Sequence, residues 1–436
     1  MNISIKGFKS IKVLDKFDFK KINILAGINS SGKTSLTQCL LLLKQTIESD
    51  NKTPLNLTGP YVSANLLVDL IYNRGKKLEF CLEYEREDVH NSYEFDNYFT
   101  KEESFEKLSY TFILQQNGKL YLSELNMILY GNKGNQLLLS FQRKRNELYQ
   151  INTNNYKLLG LSEDSNNLIS KGTWNLEFTN FFPLYAENGI SINNVTTAIA
   201  IPVMKQAMSC FKEYFSKIVY VGPIRVKPEV FEVFTNTPTH YVGIDGKYTR
   251  FVLHEYKKEL LESTRYWICR RLKLAKDIKV SKDVNNAYRI TLENSNSIHV
   301  DLCHMGLGIS QILPIIVQGL SVPKNGLFII DAPEVHMHPY IQSEMVDFFI
   351  DLARQKNVMI ETHSEHIITR IRRRIAEGEL KPEDINLCFV ENNGYGSQYQ
   401  TLSINTKGSF YGDMPKGFMN TMDEDFKAII KAKYQI

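Results

Sequence analysis

Lys21–Gln45 reads KINILAGINSSGKTSLTQCLLLLKQ, an apolar run that stops at a glycine and serine turn before a leucine-rich stretch opens on a lysine. The short run predicts a buried strand and the leucines predict a helix. Between them, Gly27–Ser35 (GINSSGKTS) satisfies G-x-x-x-x-G-K-[ST] in the strand-before, helix-after context the motif requires. Glycines at 27 and 32 let backbone N–H groups of the loop, Asn29, Ser30 and Ser31 among them, turn inward onto phosphate oxygens. The helix start at Lys33, Thr34 and Ser35 adds its partial positive charge. Lys33 would reach the terminal phosphates, and the Thr34 hydroxyl would hold Mg2+.

A phosphate loop of this kind needs a second carboxylate for the magnesium. LFIID (Leu327–Asp331) is an apolar strand that delivers Asp331 to a turn. The competing reading of Asp331 is a helix cap after a strand.

The rest of the chain limits the classes available. Its 436 residues suffice for one large domain or two to three ordinary ones, and 52 basic against 48 acidic residues leave a charge of +4, too little for binding nucleic acid through global electrostatics. Six scattered cysteines lack metal or redox spacing, and read as reduced thiols. No apolar run is long enough to cross a membrane and the lysine-bearing N-terminus is unlike a signal peptide, so a cytoplasmic protein is expected.

The expected fold is α/β, with an ATPase core from 1–75 and 276–436, an antiparallel β lobe at 76–195 and a helical insertion at 196–275. The lobe rests on short alternating runs such as KLEFCLEYE and LSYTFILQQ separated by Asn/Gly/Ser stretches. The insertion rests on IPVMKQAMSCFKEYFSKIV and RFVLHEYKKELLESTRYWICRRLKL, neither of which sustains the heptads of a long coiled coil.

Taken together, GFKSI (7–11), GINSSGKTS, GLGISQ (306–311), IIDAPEVHMHP (329–339) and ETHSEH (361–366) resemble the ABC-type ATPases of the SMC, RecF and OLD class. Within that class the chain is most similar to the free-standing heads of bacterial anti-phage systems, such as the Septu, retron-associated and PARIS ATPases. YVGPIRVKPE (220–229), ETHSEHIITRIRRRIAEG (361–378) and GDMPKGFMNTMDEDF (412–426) carry this closer likeness. The resemblance implies ATP and Mg2+ as cofactors and a dimer, or higher oligomer, that sandwiches nucleotide between heads. Gly308, Ser310 and Gln311 would be the signature that caps the partner's ATP, with Pro314 in the first turn of the helix they open. His363 would be the switch histidine at the γ-phosphate, and Lys9 and Ser10 the loop beneath the nucleotide.

Two departures matter. The family's turn places a glutamate or glutamine after the metal carboxylate, whereas here the residue is Ala332, whose methyl cannot accept a proton or orient water. Glu334 and Glu361 are the nearest substitutes; Glu334 is favoured as the catalytic carboxylate, against a helix-capping or arginine-pairing role. The family's glutamine or histidine loop has only Asp69 and Asn73 nearby, and neither is assigned. HMH (336–338) lacks a third ligand at metal spacing, which disfavours a metal site, and the resemblance implies instead the family's dimer-contact turn. Asp423–Asp425 read as the start of a terminal helix. The 73 residues after His363 leave no room for the nuclease domain of OLD enzymes.

The expectation is therefore a slow ATPase that regulates a separate effector, a nuclease, in antiviral defence. The alternative is a RecF-like repair ATPase acting directly on DNA. The basic stretches RIRRRI (370–375 with Arg370, Arg372, Arg373 and Arg374) and RYWICRRLK (265–273) are the candidates for DNA contact, weighed against solvated faces or ion pairs. An ABC transporter subunit is disfavoured by the absent L-S-G-G-Q.

Overall fold

Residues 1–49, 52–88, 90–117, 119–161, 172–188, 198–234, 240–256, 258–412, 415 and 421–434 are described by the structure, a computed structural model. The chain divides into two compact units: Met1–Phe19, Thr34–Ser216 and Asn392–Gln398 in one, and Lys20–Lys33, Lys217–Glu391 and Tyr399–Ile436 in the other.

The second unit is built on a six-stranded sheet, in the order Ile218–Val221, Leu327–Asp331, Asn357–Thr362, Ile22–Ala26, Ile385–Asn392, Ser397–Thr401. The first five strands are parallel neighbours. Ile22–Ala26 and Leu327–Asp331 are buried at every position, as expected for continuous apolar runs covered on both faces. Register aligns Val221 with Ile330, Asp331 with Glu361, and Thr362 with Ala26. The carboxyl ends of four strands therefore finish together, which is where open parallel sheets collect their functional loops.

Helices Leu307–Ser321, Pro339–Leu352 and Glu365–Ala376 bury apolar faces in the cores of this unit. Pro314 lies inside the first of these and not in its first turn. A proline there removes the N–H that would reach the Ser310 carbonyl. Its ring packs against Gly246, whose φ of +77° and lack of Cβ leave the room: a Cβ would lie 2.6 Å from Pro314 Cγ. The helix ends under Lys356, whose Nζ donates to the carbonyls of Gly319 (2.7 Å) and Leu320 (3.0 Å).

IPVMKQAMSCFKEYFSKIV, read as helical throughout, is a helix only over Pro202–Ser216; the IVYV that follows is the edge strand Ile218–Val221. Its β-branched residues suit the sheet, and pairing with Leu327–Ile330 decides the matter. The second helical stretch comprises Thr249–Glu255, Lys258–Arg265 and a π-helical turn, Tyr266–Arg271.

The first unit carries a ten-stranded sheet, antiparallel at each described pairing, running from Ala198–Ala200 at one edge to Ile11–Asp18 at the other. Lys77–Glu85 alternates buried and less buried residues, the signature of a sheet with one covered face. The covered face is aromatic: Phe112 stacks on Phe181 at 4.3 Å, with Tyr110, Phe182 and Phe211 around them.

Asp423–Asp425 fall within the helix Thr421–Tyr434, while residues 413–414 and 416–420 of the GDMPKGFMNTMDEDF stretch lie outside the described residues. Among the described residues no helix is long and apolar enough to cross a membrane.

Candidate nucleotide site

The phosphate loop leaves the strand Ile22–Ala26 in a conformation its sequence requires. Gly27 (φ +150°) has no space for a side chain, since a Cβ would lie 2.2 Å from the Val390 carbonyl; Gly32 (φ +100°) occupies another left-handed position. Asn29 and Ser30 are exposed and Ser31 is buried. Lys33 Nζ donates to the loop's own carbonyls, Gly27 O (2.9 Å) and Ile28 O (2.8 Å). Burial lowers its pKa, opposed by the carboxylates of Glu361, Asp331 and Glu334. The Tyr399 hydroxyl donates to Gly32 O at 2.7 Å, bracing the loop from a strand not singled out in the sequence.

Asp331 ends its strand buried, at 8% exposure. Desolvation, reinforced by Glu334, pushes its carboxyl up to about 6, against the pull of Arg225, Lys33 and a hydrogen bond from Tyr220. A carboxylate so placed fits a hard divalent cation, whose charge would favour ionisation. Asp331 is the residue of this unit that would hold Mg2+; Thr34, the residue after Lys33, would supply the hydroxyl. The ion would neutralise charge on a bound triphosphate.

Ala332 adopts φ +44°, with its N–H on Glu361 O at 2.8 Å. Glu334 is fully engaged: Oε2 accepts from Thr362 Oγ1 (2.8 Å) and Oε1 from the His363 N–H (2.7 Å). It ties the carboxylate turn to the start of the ETHSEH loop. It does not cap the following helix; that cap is His338, whose ring accepts the Tyr340 N–H. Glu361, the other substitute for the missing base, is buried at 5% exposure beside Asp331 in register. The His363 ring hydrogen-bonds the Gly27 backbone, and partial burial together with the charge of Lys33 lowers its pKa.

GLGISQ opens the helix Leu307–Ser321 from an exposed start at Gly306 and Leu307. A Cβ on Gly308 would lie 3.0 Å from His336 O, so the signature turn and the HMH turn touch. Ser310 and Gln311 are buried. The Ser310 hydroxyl donates to Leu307 O (2.7 Å), and Gln311 Nε2 donates to Arg225 O (3.4 Å). Among the described residues no cluster could hold a metal ion through His, Cys, Asp and Glu alone, HMH included.

In the first unit, Lys9 takes a left-handed turn (φ +48°) with Nζ on the Gln38 side chain, and Ser10 Oγ lies 2.7 Å from Ser35 Oγ. The GFKSI turn is thereby set against the beginning of the helix Lys33–Glu48. Asp69 accepts from the Leu66 N–H, capping its own turn.

Arg225 and Tyr220 were not singled out as site residues in the sequence. Arg225 Nη2 donates to the carbonyls of Asp331 (2.9 Å) and Ala332 (3.1 Å). The only available signal was YVGPIR, a strand-like run broken by Gly-Pro before a lone arginine.

The two basic stretches converge elsewhere, on Asp347. Arg374 gives it two hydrogen bonds (2.6 and 2.5 Å), while Arg370 and Arg271 approach to 3.4 Å. Arg373 pairs with Glu377, Arg372 with Gly408 O, and Arg265 with Asp277. Most of these arginines are therefore occupied within the chain.

A family model described as "AAA ATPase domain" matches residues 1–368. The chain belongs to the AAA ATPase domain family. It is a P-loop ATPase of mixed α/β fold, with a largely parallel sheet in one unit and a large antiparallel sheet in the other. No curated protein matches its sequence. Solved structures similar to it include the SMC head domain from Thermotoga maritima, at 11% identity and TM-score 0.42 over 92% of this chain and 98% of that one. Another is an Smc head with an extended coiled coil bound to the C-terminal domain of ScpA from Pyrococcus furiosus, at 10% identity and TM-score 0.45 over 99% and 98%. A third is an SmcHead bound to the C-winged helix domain of ScpA, at 12% identity and TM-score 0.48 over 93% and 97%. The family assignment stands without these looser likenesses.

Proposed function

We propose that this AAA-family chain is a slow, cytoplasmic ATPase that dimerises or oligomerises through bound ATP and regulates a separate nuclease effector in anti-phage defence. The observation that carries the slow rate is the carboxylate turn. Ala332 stands where a base would act, and both oxygens of Glu334 are held by Thr362 and His363. Loss of a general base lowers turnover by about a hundred- to ten-thousand-fold. In this reading Gly27–Ser35 with Lys9 and Ser10 bind ATP, Thr34 and Asp331 hold Mg2+, and His363 reads the γ-phosphate. Gly308, Ser310 and Gln311 serve the partner's nucleotide through the helix they open. Glu334 is catalytic in the sense that it must leave its present partners to reach water.

The regulatory role is supported by the resemblance to free-standing defence heads. Engagement of the arginines in internal ion pairs weighs against direct DNA recognition as the main activity. The test has two arms. The purified chain should turn over fewer than about one ATP per second, and Glu334→Ala should slow it further; many turnovers per second, or an unchanged Glu334→Ala rate, overturns the corresponding assignment. A tagged copy should co-purify with the product of a neighbouring gene. Recovery of DNA alone, with binding that falls steeply with salt, would replace this reading with the RecF-like one.

A further inference from the structure

Arg225 follows the strand Ile218–Val221 through a Gly-Pro turn clamped on both sides: Gly222 N–H donates to Ile244 O (2.8 Å) and Val226 N–H to Asp245 O (2.9 Å). Ile224 is 83% exposed, whereas Arg225 is 5% exposed. Among the described residues only Nη2 of the guanidinium is bonded, and its acceptors are the main-chain carbonyls of Asp331 and Ala332. Nε and Nη1 are buried with no hydrogen-bond partner among the described residues. The carboxylates of Asp331 and Glu334 attract the charge without contacting it.

A buried cation in this condition is a poor packing element. Taking guanidinium from water is costly, and an apolar side chain of similar size often serves stability as well or better. What the fork supplies instead is a hold on the turn that presents Asp331 and on the left-handed Ala332, with two donors left over for a second arrangement. Its own carbonyl receives Gln311 Nε2 from the helix Leu307–Ser321. One residue thus touches both the helix of the nucleotide-capping signature and the turn of the metal carboxylate.

We propose that Arg225 is a positioning residue for ATP turnover, tying the seat of the signature helix to the turn that carries Asp331 and Ala332. The proposal rests on the ATPase reading above and deepens it by naming how engagement of the signature reaches the catalytic turn within one chain. When the helix shifts, the Arg225 backbone shifts with it, and the fork re-bonds through its spare donors and resets the turn. Neither Arg225 nor Gln311 needs to touch nucleotide for this.

The experiment compares wild type, Arg225→Met, Arg225→Lys, Gln311→Ala and the Arg225→Met/Gln311→Ala double variant in the full chain. It reads kcat and KM for MgATP, equilibrium affinity for a fluorescent ATP analogue, and melting temperature. Arg225→Met should fold with a melting temperature at or above wild type and bind the analogue within about threefold, yet lose about tenfold or more in kcat. Lysine, which can reach the carbonyls with its own donors, should recover part of that loss. Gln311→Ala should cost about threefold in kcat alone and nothing further in the Arg225→Met background, the mark of two residues acting in one chain of contacts. An Arg225→Met kcat within about twofold of wild type overturns the inference, as does a parallel fall of kcat and affinity, or full additivity. Wild type that fails to bind nucleotide would instead overturn the ATPase reading, and this inference with it.

Discussion

The phosphate loop and the carboxylate turn influence the same lysine but are held by different means. The loop is held first by short-range contacts: Lys33 donates to carbonyls five and six residues back, and from outside Tyr399 braces Gly32 while the Val390 carbonyl closes on Gly27. The turn at Asp331–Glu334 is held by borrowed partners. Arg225 grips it from 106 residues away, Thr362 and His363 from 28 and 29, and Glu361 receives the Ala332 N–H. Local loops of the first kind persist through most changes elsewhere. A turn of the second kind can be reset by anything that moves a partner, and this makes it the natural place for regulation.

The sharpest way to break the comparison is at the loop. Lys33→Ala should lower ATP affinity about a hundredfold or more, because a charge-assisted contact to the terminal phosphates is lost with no second cation in the loop to replace it. Equilibrium binding checks this, and affinity within about fivefold of wild type would show that the loop is not the principal phosphate site.

At the turn, Asp331→Asn should abolish Mg2+-dependent turnover, by about a hundredfold or more, while stabilising the metal-free protein. The sign follows from its carboxyl being pushed up to about 6 from an ordinary 3.8. Between these values the folded state binds more protons than the unfolded one, so wild type loses stability as pH rises through about 4 to 6. Asparagine has nothing to ionise. The stability advantage of the variant, measured as its unfolding free energy by denaturant titration, should grow across that window and level off above it, at about 1–3 kcal/mol. A flat difference would mean that Asp331 is not desolvated as described.

Ala332→Glu tests whether the missing side chain sets the tempo. It should raise kcat about tenfold or more with little change in KM. No gain would mean that the turn, as Arg225 and Ala332's left-handed backbone hold it, cannot aim a carboxylate at water.

The smallest effect is expected at a borrowed partner. Thr362→Val deletes the hydroxyl that bonds Glu334 and accepts the Ser364 N–H, at nearly constant volume. It should lower kcat about threefold to tenfold and leave ATP affinity unchanged, as measured by steady-state kinetics beside equilibrium binding. If affinity falls instead, the loop depends on the turn and the contrast between them disappears.

Much of this site could be read along the chain because its signals are local. Nine residues specify the phosphate loop, with the strand before it and helix after it, since the glycines, lysine and hydroxyl act at fixed offsets. LFIID announces a buried strand ending in a carboxylate, and ETHSEH follows one strand later. The edge strand Ile218–Val221 was hidden because IVYV continues a helical apolar pattern, and only its pairing with Leu327–Ile330 distinguishes the two. Pro314 was expected at a helix start, where a missing N–H matters least. The room made by Gly246 lets it sit inside the helix.

Glu334 shows the boundary between the two kinds of information most clearly. By itself the sequence determined that a phosphate-loop motif, a carboxylate at the end of a buried strand and an alanine directly after it share this chain, because each is written in residues that act on near neighbours. Tertiary structure alone decided that Glu334 bonds Thr362 and His363, that Arg225 grips the turn, and that two basic stretches close on Asp347. Those partners are brought together by parallel strands in register. A parallel crossover separates in sequence what it joins in space.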